Sequence, residues 1–173
     1  MTAAHPSRIP GAGPASRGHM APSGTRNRIA VMHGVNLDQL GRRPAGHYGT
    51  LTLMQLEGRI AGFADELGLT VQFFQTNHEG AFVEELHRLE DTVDGLLLNP
   101  GAWTHYSWAI RDALEIAGLP AVEVHLSDVA SREPWRQLSV IGDLCVATVA
   151  GSGPDGYRDA LVRLRDALGT MSA

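Results

Sequence analysis

Short, nearly continuous apolar runs alternate along this chain with longer segments whose apolar residues recur at helical spacing. Residues 29–32 and 95–98 are such runs, and residues 121–126 form a third that is interrupted by Glu123 and His125. Nearly continuous apolar runs are typical of strands buried on both faces. Between the runs, Leu56 and Ile60 belong to one of several amphipathic helical patterns. Strands and helices in strict alternation predict a parallel sheet with helices on both faces.

The strand pattern is specific enough to predict an architecture. We expect an α/β domain over residues 28–170 with a flavodoxin-like, three-layer sandwich and a five-stranded parallel sheet in the order 2-1-3-4-5. The predicted strands are residues 29–32, 71–76, 95–99, 121–126 and 144–150. Thr52 and Gln55 form a capping-box pattern at the start of the first long helix, and Gly68 ends it.

The first 27 residues differ from the rest. They are rich in Ala, Pro, Ser, Gly and Arg and contain almost no large apolar side chain. Such a segment buries too little surface to order itself, so we predict a disordered tail. It has no apolar core of the kind that a secretory signal needs.

Charge and cysteine content exclude several classes of function. The net charge is −5 without a basic block, which argues against a nucleic-acid or membrane partner. A single cysteine, Cys145, forms no internal disulfide, which is compatible with a cytoplasmic protein. No apolar run reaches the roughly 18 residues of a membrane helix.

All 14 basic residues are arginines. The absence of lysine excludes Schiff-base chemistry, a phosphate-loop lysine and the lysine of receiver domains. Arginine suits a small anionic ligand because its planar fork pairs with carboxylates. A GC-rich genome favours arginine equally, and the composition does not separate the two explanations.

The predicted fold itself indicates where a ligand binds. In open α/β sheets, ligands sit at the carboxyl ends of the strands, near the point where the strand order reverses. In this chain that rule selects the segments that contain or follow Asn36, Asn99 and His125.

The fourth strand carries a carboxylate and an imidazole on one face. Glu123 and His125 are two residues apart, so both point away from the face of Val122 and Val124. A glutamate inside a parallel strand is costly unless it is paired. We therefore interpret Glu123 as the residue that orients a working His125. The alternative is a solvated pair on an edge strand.

Polar residues also follow the third and first strands. Asn99 begins an Asn-Pro-Gly turn, and His105 lies just beyond it. The turn is a common chain reversal, but at the predicted mouth the Asn99 amide is placed to hold ligand hydroxyls. Asn36 stands in the same position after the first strand.

Two arginine-bearing segments complete the candidates. Tyr48 lies five residues after Arg43 in a glycine-rich loop, and a nearby guanidinium would favour the phenolate that a base requires. Arg132 and Arg136 follow His125 and are candidates for a clamp on a carboxylate or hydroxyl. In both segments the alternative is a solvated surface cluster.

Seven motifs in order resemble those of the type II 3-dehydroquinate dehydratases, over about residues 28–168. They are His33-Gly34-Val35-Asn36-Leu37, Leu40-Gly41-Arg42-Arg43 with Tyr48-Gly49, Gln75-Thr76-Asn77-His78-Glu79-Gly80, Asn99-Pro100-Gly101-Ala102-Trp103-Thr104-His105, Val122-Glu123-Val124-His125-Leu126-Ser127, Arg132-Glu133-Pro134-Trp135-Arg136 and Gly151-Ser152-Gly153-Pro154-Asp155-Gly156-Tyr157.

The resemblance implies a lyase that converts 3-dehydroquinate to 3-dehydroshikimate and water by anti elimination, in the shikimate pathway of aromatic amino acid biosynthesis. It assigns the base to Tyr48, held by Arg43, and the acid to His125, braced by Glu123. Asn36 would position a water against the enolate. No metal and no other cofactor is implied.

The resemblance also implies the substrate contacts and the assembly. Ring hydroxyls would be held by Asn99, His105 and Arg136, with Arg132 as a further substrate-binding residue, and the substrate carboxylate by the backbone amides of Leu126 and Ser127. Asp112 would reach the site of a neighbouring subunit, because the family assembles as trimers stacked into homododecamers.

The chain departs from the family pattern at three places. His33 and Val35 stand where the family usually has Asn and Pro, Pro44 follows Arg43 where it has Glu, and Gln137-Leu138 precede Ser139 where it commonly has two histidines. These changes leave open a paralogous dehydratase for a related cyclic hydroxy-ketone acid, such as an amino analogue. A non-catalytic flavodoxin-like binding module is a third reading, although no phosphate cradle follows the first strand.

Overall fold

The computed structural model describes residues 26–43 and 45–170. One sheet of five parallel strands runs through this part of the chain, in the order β2-β1-β3-β4-β5. The strands are β1 (Arg28–His33), β2 (Thr70–Gln75), β3 (Gly95–Asn99), β4 (Ala121–His125) and β5 (Ala147–Ala150). The predicted sheet and its order are confirmed.

Five α-helices accompany the sheet in the described residues: α1 (Ala45–Tyr48), α2 (Leu53–Glu66), α3 (Glu79–Leu89), α4 (Trp108–Ala117) and α5 (Gly156–Thr170). Apolar side chains of α2 and α5 pack on one face of the sheet, and those of α3 and α4 pack on the other. Successive residues of β1 alternate between the two apolar layers, Val31 entering one and Met32 the other. This arrangement is the predicted three-layer sandwich.

Local sequence signals set the helix ends. The Thr52 hydroxyl accepts a hydrogen bond from the Gln55 backbone, and the Gln55 side chain accepts one from the Thr52 backbone, as the capping-box pattern predicts. At the start of α4, Ser107 accepts from the backbone of Ile110, and the left-handed Gly118 ends that helix.

The predicted start of the fifth strand is wrong by three residues, whereas the other strand ends agree within one residue. The fifth strand begins at Ala147 rather than at residue 144, because turn hydrogen bonds from Leu144 to Ile141 and from Cys145 to Gly142 hold the preceding segment. Cys145 therefore lies outside the strand, but it still packs against an apolar layer, where burial raises the pKa of its thiol to about 12.

The segment before Tyr48 is also more regular than predicted. Residues 45–48 form one helical turn, closed by a hydrogen bond from the Gly49 backbone to the Ala45 carbonyl. Gly49 then adopts a positive φ of 69°, which ends the turn. Tyr48 thus occupies a defined helical position instead of a loop.

The chain segments after β1 and β3 interlock at glycines. A Cβ at Gly34 would lie 2.2 Å from the Pro100 carbonyl oxygen, and one at Gly101 would lie 2.7 Å from the Val35 carbonyl oxygen. Gly101 also has a φ of 67°. Only glycine permits so close an approach, and it brings Asn36 and Asn99 to one edge of the sheet.

The predicted tail and the Pro44 departure fall outside the described residues, apart from Arg26 and Asn27. Asn27 is attached to the domain, because its backbone donates to Asp94 and its carbonyl accepts from Thr70. Within residues 26–43 and 45–170, no helix has the length and apolarity needed to cross a membrane.

Candidate active site

A cleft opens at the carboxyl edge of the sheet, where the strand order reverses between β1 and β3. Its walls come from the chain segments after β1, β3 and β4 and from α1, as the fold-level rule predicts. The lining residues are Val35, Asn36, Leu37, Arg43, Tyr48, Asn99, Gly101, Ala102, His105, His125, Leu126, Ser127, Val129 and Arg136. Nine of the residues that the sequence predicts for the site, including Asn36, line this cleft.

Behind the cleft, the Glu123 carboxylate is completely enclosed, with 0% of its surface exposed. It belongs to β4, which lies between β3 and β5, so the edge-strand alternative is wrong. Its Oε1 accepts from the Thr104 hydroxyl and from His125, and its Oε2 accepts from the Ser139 hydroxyl at 2.8 Å and the Thr148 hydroxyl at 3.4 Å.

These donors decide the charge of Glu123. Burial alone would raise the pKa of the carboxyl, but the hydrogen bonds from His125, Thr104 and Ser139 and the charge of His125 together lower it. Glu123 is therefore an anion at neutral pH, and each of its oxygens has a donor.

The His125 imidazole connects this anion to the cleft. Its Nε2 lies 2.8 Å from Glu123 Oε1, and because a carboxylate only accepts, Nε2 carries the hydrogen. The ring lines the cleft, so Nδ1 is the nitrogen left to exchange a proton with a ligand. The predicted pairing on one strand face is thus present in the structure.

On another wall, two guanidinium groups converge on the Tyr48 hydroxyl. Arg43 Nη2 donates to it at 2.7 Å, and Arg132 Nη1 donates at 3.2 Å. Arg132 is not among the cleft-lining residues. It was expected to contact the substrate, whereas the structure places it on the tyrosine oxygen, 84 residues away in sequence.

Asn36 stands opposite in a left-handed conformation, with φ 64° and ψ 11°. It is the one non-glycine residue among those described with a positive φ. The Asn77 side chain fixes this conformation by accepting a hydrogen bond from the Asn36 backbone at 2.8 Å. Asn36 is one of the residues that line the cleft, and this hydrogen bond fixes its backbone there.

The floor contains two oriented polar side chains. His105 Nδ1 lies 2.6 Å from the Leu138 carbonyl and must donate to it, so in the neutral ring Nε2 is a hydrogen-bond acceptor. Burial lowers the pKa of His105, which favours this neutral form. Asn99 donates from Nδ2 to the Tyr157 hydroxyl at 3.0 Å.

The remaining predicted residues divide into two groups. Arg136 lines the cleft and also pairs with Glu133 at 3.0 Å, and Leu126 and Ser127 line the wall after β4. Asp112 does not line the cleft. It is exposed on α4, beside Trp108 and Glu115, in a separate surface depression.

Several functional contacts were not identified from the sequence. Thr104 and Ser139 were noted only as members of motifs, and Thr148 and Tyr157 were given no role at the site. A role can be assigned to a hydroxyl side chain only when a buried anion or amide is known to lie beside it. Among the described residues, no group of three or more His, Cys, Asp or Glu side chains is arranged to hold a metal ion.

His33, at the end of β1, is a buried histidine with unsatisfied nitrogens. It is 0% exposed, and neither ring nitrogen has a hydrogen-bond partner within the described residues. Its ring packs against Phe73 and Tyr157, and Nε2 lies 3.8 Å from Glu57. Burial lowers the pKa of His33 to about 4, so the ring is neutral at pH 7.

Comparison with known proteins gives a consistent result. The family model described as "Dehydroquinase class II" matches residues 27–165. The chain is 46% identical over 142 residues to a 3-dehydroquinate dehydratase of Pelobacter propionicus, covering 82% of this chain and 95% of the relative. It is 47% identical over 146 residues to one of Leptothrix cholodnii, covering 84% and 96%.

Solved structures are similar over the same length. The type II dehydroquinase of Butyrivibrio crossotus superposes with a TM-score of 0.78 at 36% identity, over 84% of this chain and 99% of that one. The type II dehydroquinase of Propionibacterium acnes gives a TM-score of 0.77 at 40% identity, over 81% and 97%.

The buried His33 predicts a specific dependence of stability on pH. The contribution of neutral His33 to the free energy of unfolding is complete above pH 6.5 and is lost as the pH falls towards 4. Between these values His33 of the unfolded chain takes up a proton, whereas His33 of the folded chain does not. The full effect is about 3 kcal/mol of unfolding free energy, at about 1.4 kcal/mol per pKa unit. Urea unfolding at pH 7.5, 5.5 and 4.5 measures it.

The His33→Asn variant should lack this loss, since an amide does not titrate. Replacing the exposed His87 of α3 by Asn is the matched control and should keep the pH dependence of the unsubstituted protein. An equal loss of stability in His33→Asn would show that another group is responsible.

Proposed function

The chain belongs to the class II dehydroquinase family, and from that premise we propose that it dehydrates 3-dehydroquinate to 3-dehydroshikimate through an enolate, with Tyr48 as base and His125 as acid. The observation that carries the proposal is the juxtaposition, in one cleft, of a tyrosine held by two arginines and a histidine held by a buried carboxylate. The enzyme is a hydro-lyase. Neither the paralogue nor the binding-module alternative is favoured by these relatives.

The base is Tyr48. Arg43 and Arg132 donate to its oxygen, so two positively charged donors lie at the atom that takes the proton. The phenolate removes the proton α to the ketone, and the electron pair of that C–H bond forms the carbon–carbon double bond of the enolate. The protonated tyrosine keeps both arginines as neighbours.

The enolate needs a donor near the developing oxyanion. Asn36 supplies this donor by positioning a water molecule. The hydrogen bond from the Asn36 backbone to Asn77 keeps Asn36 in the left-handed conformation. A preorganised donor at a developing negative charge is typically the strongest contributor to lowering such a barrier.

The acid is His125. With Nε2 donating to Glu123, the protonated ring presents its Nδ1 hydrogen to the cleft. As the enolate collapses to the ketone, its electrons form the new ring double bond and expel the β-hydroxyl, which takes the Nδ1 proton and leaves as water. Glu123 stabilises the imidazolium that precedes this step.

The other lining residues bind the substrate. The Nε2 lone pair of His105 accepts from a ring hydroxyl, and Asn99 and Arg136 hold the others. The backbone amides of Leu126 and Ser127 hold the substrate carboxylate. Loss of the proton gained by Tyr48 and uptake of one by His125 restore the site for the next turnover. The reaction takes place in the cytoplasm as a step of aromatic amino acid biosynthesis.

Replacing Tyr48 tests the base directly. Tyr48→Phe should lower kcat by at least about 10³, somewhat above one ordinary acid–base contribution because no other phenol reaches the cleft wall among the described residues. The rate is followed by the ultraviolet absorbance of the enone product. Tyr106→Phe removes the same hydroxyl from an exposed tyrosine and should leave kcat unchanged. A Tyr48→Phe enzyme within tenfold of the unsubstituted one would exclude this role.

We further propose that the active form is a homododecamer built from trimers, in which Asp112 approaches a neighbour's cleft. The position of Asp112 supports this, because it is exposed beside Trp108, which is 67% exposed, and it does not line the cleft of its own chain. Tryptophan is enriched at protein–protein interfaces relative to the rest of the protein surface.

Light scattering on the active enzyme should give the mass of about twelve 18.5 kDa chains. Asp112→Asn should lower kcat/KM without changing that mass, whereas Asp65→Asn on the exposed face of α2 should change neither. A fully active monomer would contradict the assembly and the role of Asp112.

A further inference from the structure

Behind Asn99 lies a tyrosine that takes no part in the proton transfers. Tyr157, in the first turn of α5, is 1% exposed, and its hydroxyl accepts a hydrogen bond from Asn99 Nδ2 across 58 residues of sequence. It is not among the residues that line the cleft. Within the part of the chain that the structure describes, the hydrogen-bond partner of its hydroxyl is therefore a residue that faces the cleft.

The Asn99 carboxamide has two ends of nearly equal shape, and rotation by 180° exchanges donor and acceptor. The Gly101 backbone N–H can only donate, so it selects Oδ1, at 3.3 Å. Tyr157 then holds the Nδ2 end at 3.0 Å. One N–H and one oxygen lone pair remain for a ligand, in a fixed orientation.

The Tyr157 ring is a rigid anchor for this contact. It packs among the apolar residues under α2 and α5, with the His33 ring 6.0 Å away between centroids. Burial raises the pKa of its phenol, so the hydroxyl stays neutral over the working range. The anchor therefore has the same hydrogen-bonding character at every pH at which the enzyme acts.

We infer that Tyr157 is a positioning residue for the dehydration: its hydroxyl orients the Asn99 carboxamide, and Asn99 in turn holds a ring hydroxyl of the substrate. This inference rests on the proposed function. Without the hydroxyl, Asn99 keeps only the longer contact to Gly101, and its amide can turn away from the ligand.

Tyr157→Phe keeps the ring and removes only the hydroxyl. It should raise KM about tenfold while kcat changes less than about threefold, because a ring-hydroxyl contact is made in the ground state and the transition state alike. Tyr106→Phe, the same change at an exposed position, should alter neither constant.

A double-mutant cycle separates positioning from general destabilisation. In an Asn99→Ala background, Tyr157→Phe should change kcat/KM by less than about twofold, because the residue through which it acts is gone. A loss of the same size in both backgrounds would overturn the inference, as would a Tyr157→Phe enzyme within twofold of the unsubstituted one.

A crystal structure of the unsubstituted enzyme with the product bound supplies a second test that does not depend on the folding of any variant. It should place a ring hydroxyl within 3.5 Å of the Asn99 amide (a normal hydrogen-bond reach) and Asn99 Nδ2 on Tyr157. Product hydroxyls out of reach of Asn99 would overturn the inference. An unsubstituted enzyme without dehydratase activity would instead contradict the proposed function.

Discussion

The site depends on one buried anion, the Glu123 carboxylate in an interior strand. A carboxylate enclosed by protein is strongly unfavourable unless its oxygens are supplied with donors. Here the donors are His125 of the same strand, Thr104 after β3, Ser139 before β5 and Thr148 of β5. The hydrogen bonds to this one carboxylate therefore fix the positions of β4, β5 and the segments after β3 and before β5 relative to one another.

The same contacts set the acid and the floor of the cleft. The Val140 backbone donates to the Thr104 carbonyl, and the Leu138 carbonyl accepts from His105, so the segment that carries Ser139 is attached to the segment after β3 on both sides. Loss of the carboxylate would leave the buried Thr104 hydroxyl without this acceptor, at a cost of about 1–3 kcal/mol. Glu123 therefore both holds these segments together and orients the acid, His125.

The base is held in a different way from the acid. Tyr48 and Arg43 are only partly buried. Tyr48 belongs to the helical turn that ends at Gly49, and Arg43 precedes that turn. The hydrogen bond from Arg132 ties this segment to the one after β4. An exposed base segment beside a rigid, buried acid fits a site in which the substrate enters past the tyrosine.

Sequence reasoning identified the fold and most of the lining residues because those signals are local. Apolar runs specify β1 and β3, and strand alternation alone places Glu123 beside His125 on β4. The start of the fifth strand was missed because turn hydrogen bonds from Leu144 to Ile141 and from Cys145 to Gly142 hold an apolar segment outside the sheet. The contact of Arg132 with the Tyr48 hydroxyl was also missed, because the two residues are 84 positions apart. Thr148 and Tyr157 could not be found, because their partners lie 25 and 58 residues away.

The central claim is that the negative charge of Glu123 keeps His125 in its proton-donating form. Glu123→Gln preserves size and removes the negative charge that lies 2.8 Å from the His125 ring. The most direct measurement is kcat against pH for this variant, with Glu85→Gln, a buried carboxylate paired with Arg88 on α3, as the control. The account predicts that the basic limb moves to lower pH while the acidic limb stays nearly fixed, and that the control keeps both limbs. An unchanged profile in folded Glu123→Gln would contradict it, because the carboxylate would then be structural alone.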